Sequence, residues 1–238
     1  MAPVAYRVED HVAVLTLDSG ENRFNPGFLD ALLESLDRIE GETEASVLVV
    51  RSAHEKIFCN GIDLEWLAPV IQSGDAETAK AFFHRLNHLF RRLLTYPAIT
   101  VAAIGGHAFA GGAILCCAFD FRFMRTGRGY FCLPEVDIDI PFLPGMNAIL
   151  ETAIPRHRLV FMELTGARLT AEQCEAWGIV HKACPLEDLM DEVKAFAGGL
   201  KKKRKTIGEM KRRLNRSVIR TIETEDPPYI DRGVFHIG

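Results

Sequence analysis

Residues 106–115 read GHAFAGGAIL, three glycines and three alanines in ten positions with no charge. The stretch follows YPAITVAAI (96–104) and precedes LCCAFDF (115–121). ITVAAI is a short apolar run of the kind buried on both faces of a parallel sheet, so the bare stretch predicts a loop that leaves a strand end and turns into a helix. Its glycines allow close approach to the backbone. Its N–H groups lie near a helix start, where the helix dipole favours negative charge. A second stretch, KIFCNGIDL (56–64), stands in the same relation to SVLVVRS (46–52) and turns at Gly61. Two backbone donors from separate loops, aimed at one point, make an oxyanion hole. Neither loop is a phosphate cradle, since GxxxxGK[ST] and a spaced GxGxxG are both absent.

Working outward, YRVEDHVAVLTLD (6–18) alternates and turns at Glu9 and Asp10, which predicts a β-hairpin. Pro26 starts a helix whose apolar residues Phe28, Leu29, Leu32, Leu33, Leu36 and Ile39 recur at helical spacing. Residues 76–94 read as a second helix, and DFRFMR and YFCL as further strands. From Pro144 helices dominate: 156–165, 171–177 and 186–200, with GIVHKAC as a short strand between two of them. The basic segment continues as helix to about Glu223, where Asp226-Pro227-Pro228 is expected to stop it. Strands and helices thus alternate over the first 145 residues and helices fill the remainder, an α/β pattern without repeats or low-complexity linkers.

At 238 residues, 48% hydrophobic and 25% charged, the chain can build a substantial core. A net charge of −4 argues against a general nucleic-acid binder. The balance is uneven: 201–216, KKKRKTIGEMKRRLNR, holds nine of the 28 basic residues. As a charge run it reads as a solvated helical face, with no interleaved aromatics for base stacking. Six cysteines (Cys59, Cys116, Cys117, Cys132, Cys174, Cys184) show no CxxC and no metal-ligand spacing. Their apolar surroundings suggest reduced, buried thiols and a cytoplasmic protein. The N-terminus is too charged for a signal peptide, and the terminal HIG is no peroxisomal address. Residues 98–119 are apolar enough to imitate a membrane span, but four glycines and a histidine argue against a continuous helix.

The two loops in this order resemble the crotonase superfamily, the enoyl-CoA hydratase/isomerase family. FCNGIDL resembles its first oxyanion motif, F-x-x-G-x-D, and GHAFAGGAILCCAFDFRF its second, G-x-A-x-G-G-G-x-x-L. LPEVDIDIPFLPG (133–145) is similar to the segment with the Pro-Glu pair, and LTGARLTAEQCEAWGIVHKAC (164–184) to the L-T-G block. The resemblance covers about residues 5–220. It implies a crotonase fold: a spiral of ββα units forming two roughly perpendicular sheets over 1–190, and a helical C-terminal region, 191–238, that covers the acyl-CoA site or a trimer interface. It implies a homotrimer or a dimer of trimers, an acyl-CoA thioester partner, and no membrane or nucleic-acid partner. It implies no metal and no cofactor beyond the CoA of the substrate.

Carried over residue by residue, the resemblance makes Ile62 and Gly111 the oxyanion-hole donors. Asn60, Gly61, Leu64 and Gly112 would line the CoA path. Phe24 matches a position near the pantetheine, and Lys211 is the candidate cation for the CoA phosphates. Asp63 would cap the helix after the first loop. Ala110 departs mildly from the family's glycine triplet, a change expected to matter little. Hydratases of the family carry one glutamate three residues after the second oxyanion glycine and another in the Pro-Glu pair. Here the first position is Ile114 and the second is Glu135, so one carboxylate remains. That pattern, with HAFAGGAIL, RTGRGYF and PEVDI, is closest to the single-glutamate Δ3,Δ2-enoyl-CoA isomerases of the plant type, enzymes of fatty-acid β-oxidation. One base suffices to move a proton from C2 to C4, with Glu135 as the shuttle. Asp137 and Asp139 are the rival carboxylates, and His107 is read as packing. Hydration, decarboxylation, thioester hydrolysis and a non-catalytic acyl-CoA-binding role stand as alternatives. The tail after Glu223 matches nothing usable.

Overall fold

The computed structural model describes residues 2–233; the terminal HIG lies outside them. The chain opens with the expected hairpin, β1 (Val4–Glu9) and β2 (Val12–Leu17), turned at Asp10 with φ +53°. Helix α1 (Pro26–Glu42) is capped by the Asn25 side chain and buries the six apolar residues picked out by spacing. Then come β3 (Val47–Ser52), β4 (Ile57–Cys59), α2 (Leu64–Gln72) and α3 (Ala76–Leu94). The next unit is β5 (Ile99–Ile104), β6 (His107–Phe109) and α4 (Gly111–Ala118). The third is β7 (Phe121–Arg125), β8 (Phe131–Cys132), a 3-10 turn at Glu135–Ile138, α5 (Pro144–Ala153) and α6 (Arg156–Thr165). Helix α7 (Ala171–Ala176), β9 (Lys182–Cys184) and α8 (Leu186–Gly198) follow, then α9 (Arg204–Leu214), α10 (Arg216–Thr224) and α11 (Asp226–Asp231).

Each unit gives its first strand to one sheet and its second strand to another. The large sheet has the order β1-β2-β3-β5-β7-β9, parallel after the hairpin, and the small sheet is β4-β6-β8. The large sheet is buried on both faces by residue parity. Leu48, Val50, Ala102 and Ile104 point into the main core. Val47, Val49, Val101 and Phe123 meet Leu189, Val193 and Ala197 of α8. The expected domain boundary at 190/191 therefore falls inside α8, a helix that belongs to the sheet's second face.

One expectation about the basic segment is corrected. The segment is two helices, α9 and α10, parted at Asn215, whose Nδ2 donates to Leu94 O at 2.8 Å. Helix α10 ends at Thr224, just ahead of Asp226-Pro227-Pro228 as expected, and the prolines then sit in the first turn of α11, where the missing N–H has no intrahelical partner to lose. Most of the segment's basic residues are exposed, as a solvated face requires, but some are committed within the molecule. Arg204 donates to Thr43 O and Glu40 O, Arg212 and Arg213 pair with Glu209, and Lys211 is buried. No described helix is long and apolar enough to cross a membrane. The six cysteines are free and buried.

Candidate active site

The small sheet builds the site. Its strands run parallel, with Cys59 beside Ala108 and Phe109 beside Cys132. Three chain segments therefore leave neighbouring strand ends on the same edge: Asn60-Gly61-Ile62, Ala110-Gly111 and Leu133-Pro134-Glu135. The C-terminal edge of a parallel sheet is where loops gather around ligands. These three segments line one cleft of about 280 Å³, through Asn60, Ile62, Ala110, Gly111, Pro134 and Glu135. Arg23, Leu64, Phe109, Ile138 and Ile140 complete its wall.

The backbone of the first loop is held by Phe24. Phe24 N–H donates to Gly61 O at 2.7 Å, and Asp63 N–H donates to Phe24 O at 2.9 Å, a one-residue parallel bridge around Ile62. Such a bridge uses the groups on either side of Ile62 and turns the Ile62 N–H the other way. Gly111 is the first residue of α4, so its N–H has no intrahelical acceptor. Neither N–H has an acceptor among the described residues. The two loops touch: a Cβ on Gly61, which has φ +76°, would lie 2.6 Å from Gly111 N. Glycine is needed there because a side chain would fill the space in front of the second donor.

Glu135 opens the 3-10 turn and is 8% exposed. Burial pushes its carboxyl up to about 8, and the neighbouring Glu163 charge adds to the rise. Its Oε2 is shut off from solvent without a hydrogen-bond partner. Of the cleft's lining residues it is the one carboxylic acid. Ile114 is buried in the core and does not line the cleft. Asp137 and Asp139 are exposed and stand outside it.

The other expected residues divide. Asn60 and Leu64 line the cleft, and Asn60 Nδ2 is tied to Glu21 at 3.1 Å. Asp63 caps α2 by accepting from Trp66 N–H at 3.3 Å. His107 packs between Phe109 and Tyr130 and accepts from Tyr130 N–H. Phe24 is fully buried beneath the loops, so its side chain offers a pantetheine nothing; it holds the first loop in place. Gly112 also moves from ligand contact to packing, because a Cβ there would run into Cys59 O. Lys211 is a clear correction. Its ammonium is buried against Asp120 at 2.8 Å and lines a separate cavity that shares no residue with the cleft. Sequence reading missed Arg23, which lines the cleft while paired with Glu21 and Glu65. It also missed the strain at Ala110, whose φ of +54° and ψ of −130° suit glycine.

A family model described as enoyl-CoA hydratase/isomerase matches residues 7–235. The chain is 31% identical over 176 residues to an Arabidopsis thaliana protein named enoyl-CoA delta isomerase 2, peroxisomal, covering 71% of this chain and 72% of that one. It is 33% identical over 194 residues to a putative enoyl-CoA hydratase of Thermus thermophilus, covering 79% and 73%. The human mitochondrial delta3-delta2-enoyl-CoA isomerase has the same crotonase fold, with a TM-score of 0.87 at 20% identity over 97% of this chain and 90% of that one.

Proposed function

The chain belongs to the enoyl-CoA hydratase/isomerase family, and we propose that it converts 3-enoyl-CoA to trans-2-enoyl-CoA by carrying one proton through Glu135. The observation that carries this reading is the cleft's inventory: one carboxylic acid, two backbone donors on adjoining loops, and otherwise mostly apolar walls. Hydration needs a water activated and a proton delivered, work the family divides between two carboxylates. Isomerisation needs one group that takes a proton and returns it. Relatives named for both reactions match at similar identity, so the reading rests on the cleft.

The thioester carbonyl oxygen sits between Ile62 N–H and Gly111 N–H. Glu135 removes a proton from C2, and the electron pair spreads over C2, C3, C4 and the carbonyl oxygen as the old double bond shifts. The oxygen's negative charge meets two donors already in place, each worth roughly 3 kcal/mol to the transition state. Glu135, now neutral in a largely apolar wall, returns the proton to C4, and the 2-enoyl thioester leaves. A base with its carboxyl near 8 suits this step better than an ordinary glutamate, because removing a C–H proton rewards basicity. Arg23 replaces Lys211 as the proposed cation for the CoA phosphates. A trimer or paired trimer remains our proposal for the assembly, since Val160, Phe161 and Leu164 leave an exposed apolar stripe on α6. The cytoplasmic assignment rests on the free cysteines alone, beside a relative whose name is peroxisomal.

The test follows 3-hexenoyl-CoA and 2-hexenoyl-CoA in parallel on wild type and Glu135→Gln. Expected is isomerisation without hydration, reduced at least about 100-fold in the variant, with a wild-type rate that rises with pH through about 8 as Glu135 ionises. Hydration of 2-hexenoyl-CoA, or isomerisation that survives the substitution, overturns the reading.

A further inference from the structure

We propose that Glu163, on α6, is a second carboxylate of this site, standing behind Glu135 out of reach of substrate and controlling how firmly Glu135 holds its proton. This rests on the reading of Glu135 as the proton carrier. Helix α6 packs along the 3-10 turn that Glu135 opens. Less than a turn beyond Glu163, Gly166 ends the helix, and Gly166 O receives the Cys132 thiol at 3.3 Å, three residues before Glu135. Glu163 does not line the cleft. Its Oε1 and Glu135 Oε2 are both closed off from solvent, and neither has a hydrogen-bond partner among the described residues. Two buried acid oxygens without donors, on elements packed together, are unusual enough to need a reason. A charged Glu163 on the helix packed against the turn supplies one, since it opposes the ionisation of Glu135.

The surrounding charges do not cancel this. Burial raises the Glu163 carboxyl, Glu151 of α5 also opposes its ionisation, and Arg156 of α6 favours it. Arg156 is itself paired with Glu151. Arg168 lies over the Phe109 ring, with its guanidinium carbon 5.6 Å from the centroid. Arg23 across the cleft is held by Glu21 and Glu65. Asp137, on the same turn, is exposed. Glu163 is half-buried, and its charge adds to the rise that burial imposes on Glu135, while a hydrogen bond from Glu135's own backbone opposes that rise.

A negative neighbour makes Glu135 a stronger base but leaves less of it ionised at neutral pH. Removing that neighbour therefore has opposite effects at the two ends of the pH range. In Glu163→Gln, isomerisation at pH 6 should become roughly three- to tenfold faster, because a tenfold change in ionised fraction accompanies one unit. The alkaline plateau should become slower, and the midpoint of kcat/KM against pH should move down. Glu163→Asp, which keeps the charge, should restore the wild-type midpoint. A structural role would lower the rate at every pH and leave the midpoint in place. The same titration is read without turnover from the infrared carboxyl band that disappears in Glu135→Gln. Movement of that band to lower pH in Glu163→Gln supports the proposal even if the enzyme proves to catalyse another reaction. An unmoved band, or an unmoved kinetic midpoint with full activity, overturns it while leaving the isomerase reading intact.

Discussion

Ala110 holds φ at +54° and ψ at −130° at the very start of α4, a conformation that costs an L residue roughly 1–3 kcal/mol. Its carbonyl cannot turn away, because Ala113 N–H and Ile114 N–H both donate to it. The strain thus fixes the plane of the Ala110–Gly111 peptide, and with it the direction of the Gly111 N–H. In the motif this alanine looks harmless, because the donor is the Gly111 N–H whatever residue precedes it; a backbone angle leaves no trace in a residue's hydropathy. Ala110→Gly should therefore stabilise the protein by roughly 1 kcal/mol, after glycine's larger entropy loss. A thermal melt should show the midpoint rising by about 2–4 °C, with kcat no lower than wild type. A fall in the midpoint would mean that the methyl group's packing outweighs the strain. Glu135 was legible for a different reason: proline before it and the motif around it marked its place. Glu163 was not, since nothing in MELTG says which strand end that helix will cover.

Among the elements, legibility followed length. Helices α1 and α3 and strands β3 and β5 carry enough residues to show a period or an unbroken apolar run. The small sheet's strands have three, three and two residues, too few to show a period, yet their register gathers the site. Tertiary capping was equally hidden. Leu143 precedes α5 and offers no side-chain cap. The cap comes instead from Asp226, fully buried at the α10–α11 junction, which accepts from Gly145 N–H at 2.7 Å and Asn87 Nδ2 at 2.8 Å. The tail after Glu223, which carries no readable motif, thus closes the helix that follows the Glu135 turn. Asp226→Ala leaves two buried donors unpaired and should cost about 3 kcal/mol in urea unfolding. Asp226→Asn, which keeps an acceptor oxygen, should cost less than half of that. Equal losses in the two variants would show that the cap contributes nothing and that packing alone holds α11.

Across the whole molecule, the C-terminal helices are fastened to the large sheet by one buried charge pair. Lys211 of α9 reaches Asp120 at 2.8 Å, just before β7, and also approaches Ala98 O and Thr100 Oγ1 at 3.4 Å. Asp120 in turn accepts from Thr100 N–H at 2.8 Å, so the carboxylate has donors of its own while the ammonium depends chiefly on the carboxylate. Burial already pulls the Lys211 ammonium below its ordinary range, with Asp120 opposing the pull. Removing the two partners should therefore be unequal. Asp120→Asn strands a buried ammonium and should cost about 3–5 kcal/mol. Lys211→Met fills the same space with an apolar chain, leaves Asp120 its Thr100 donors, and should cost less. The double variant should recover most of what Asp120→Asn loses, a coupling that urea unfolding of all four proteins would measure. The same variants decide where the CoA phosphates go. With Lys211 committed to Asp120, Lys211→Met should leave the KM for an acyl-CoA unchanged, whereas Arg23→Met should raise it. If Lys211→Met raises KM while unfolding as wild type does, α9 must lift away from the sheet when substrate binds, and the pair is a latch rather than a fastening.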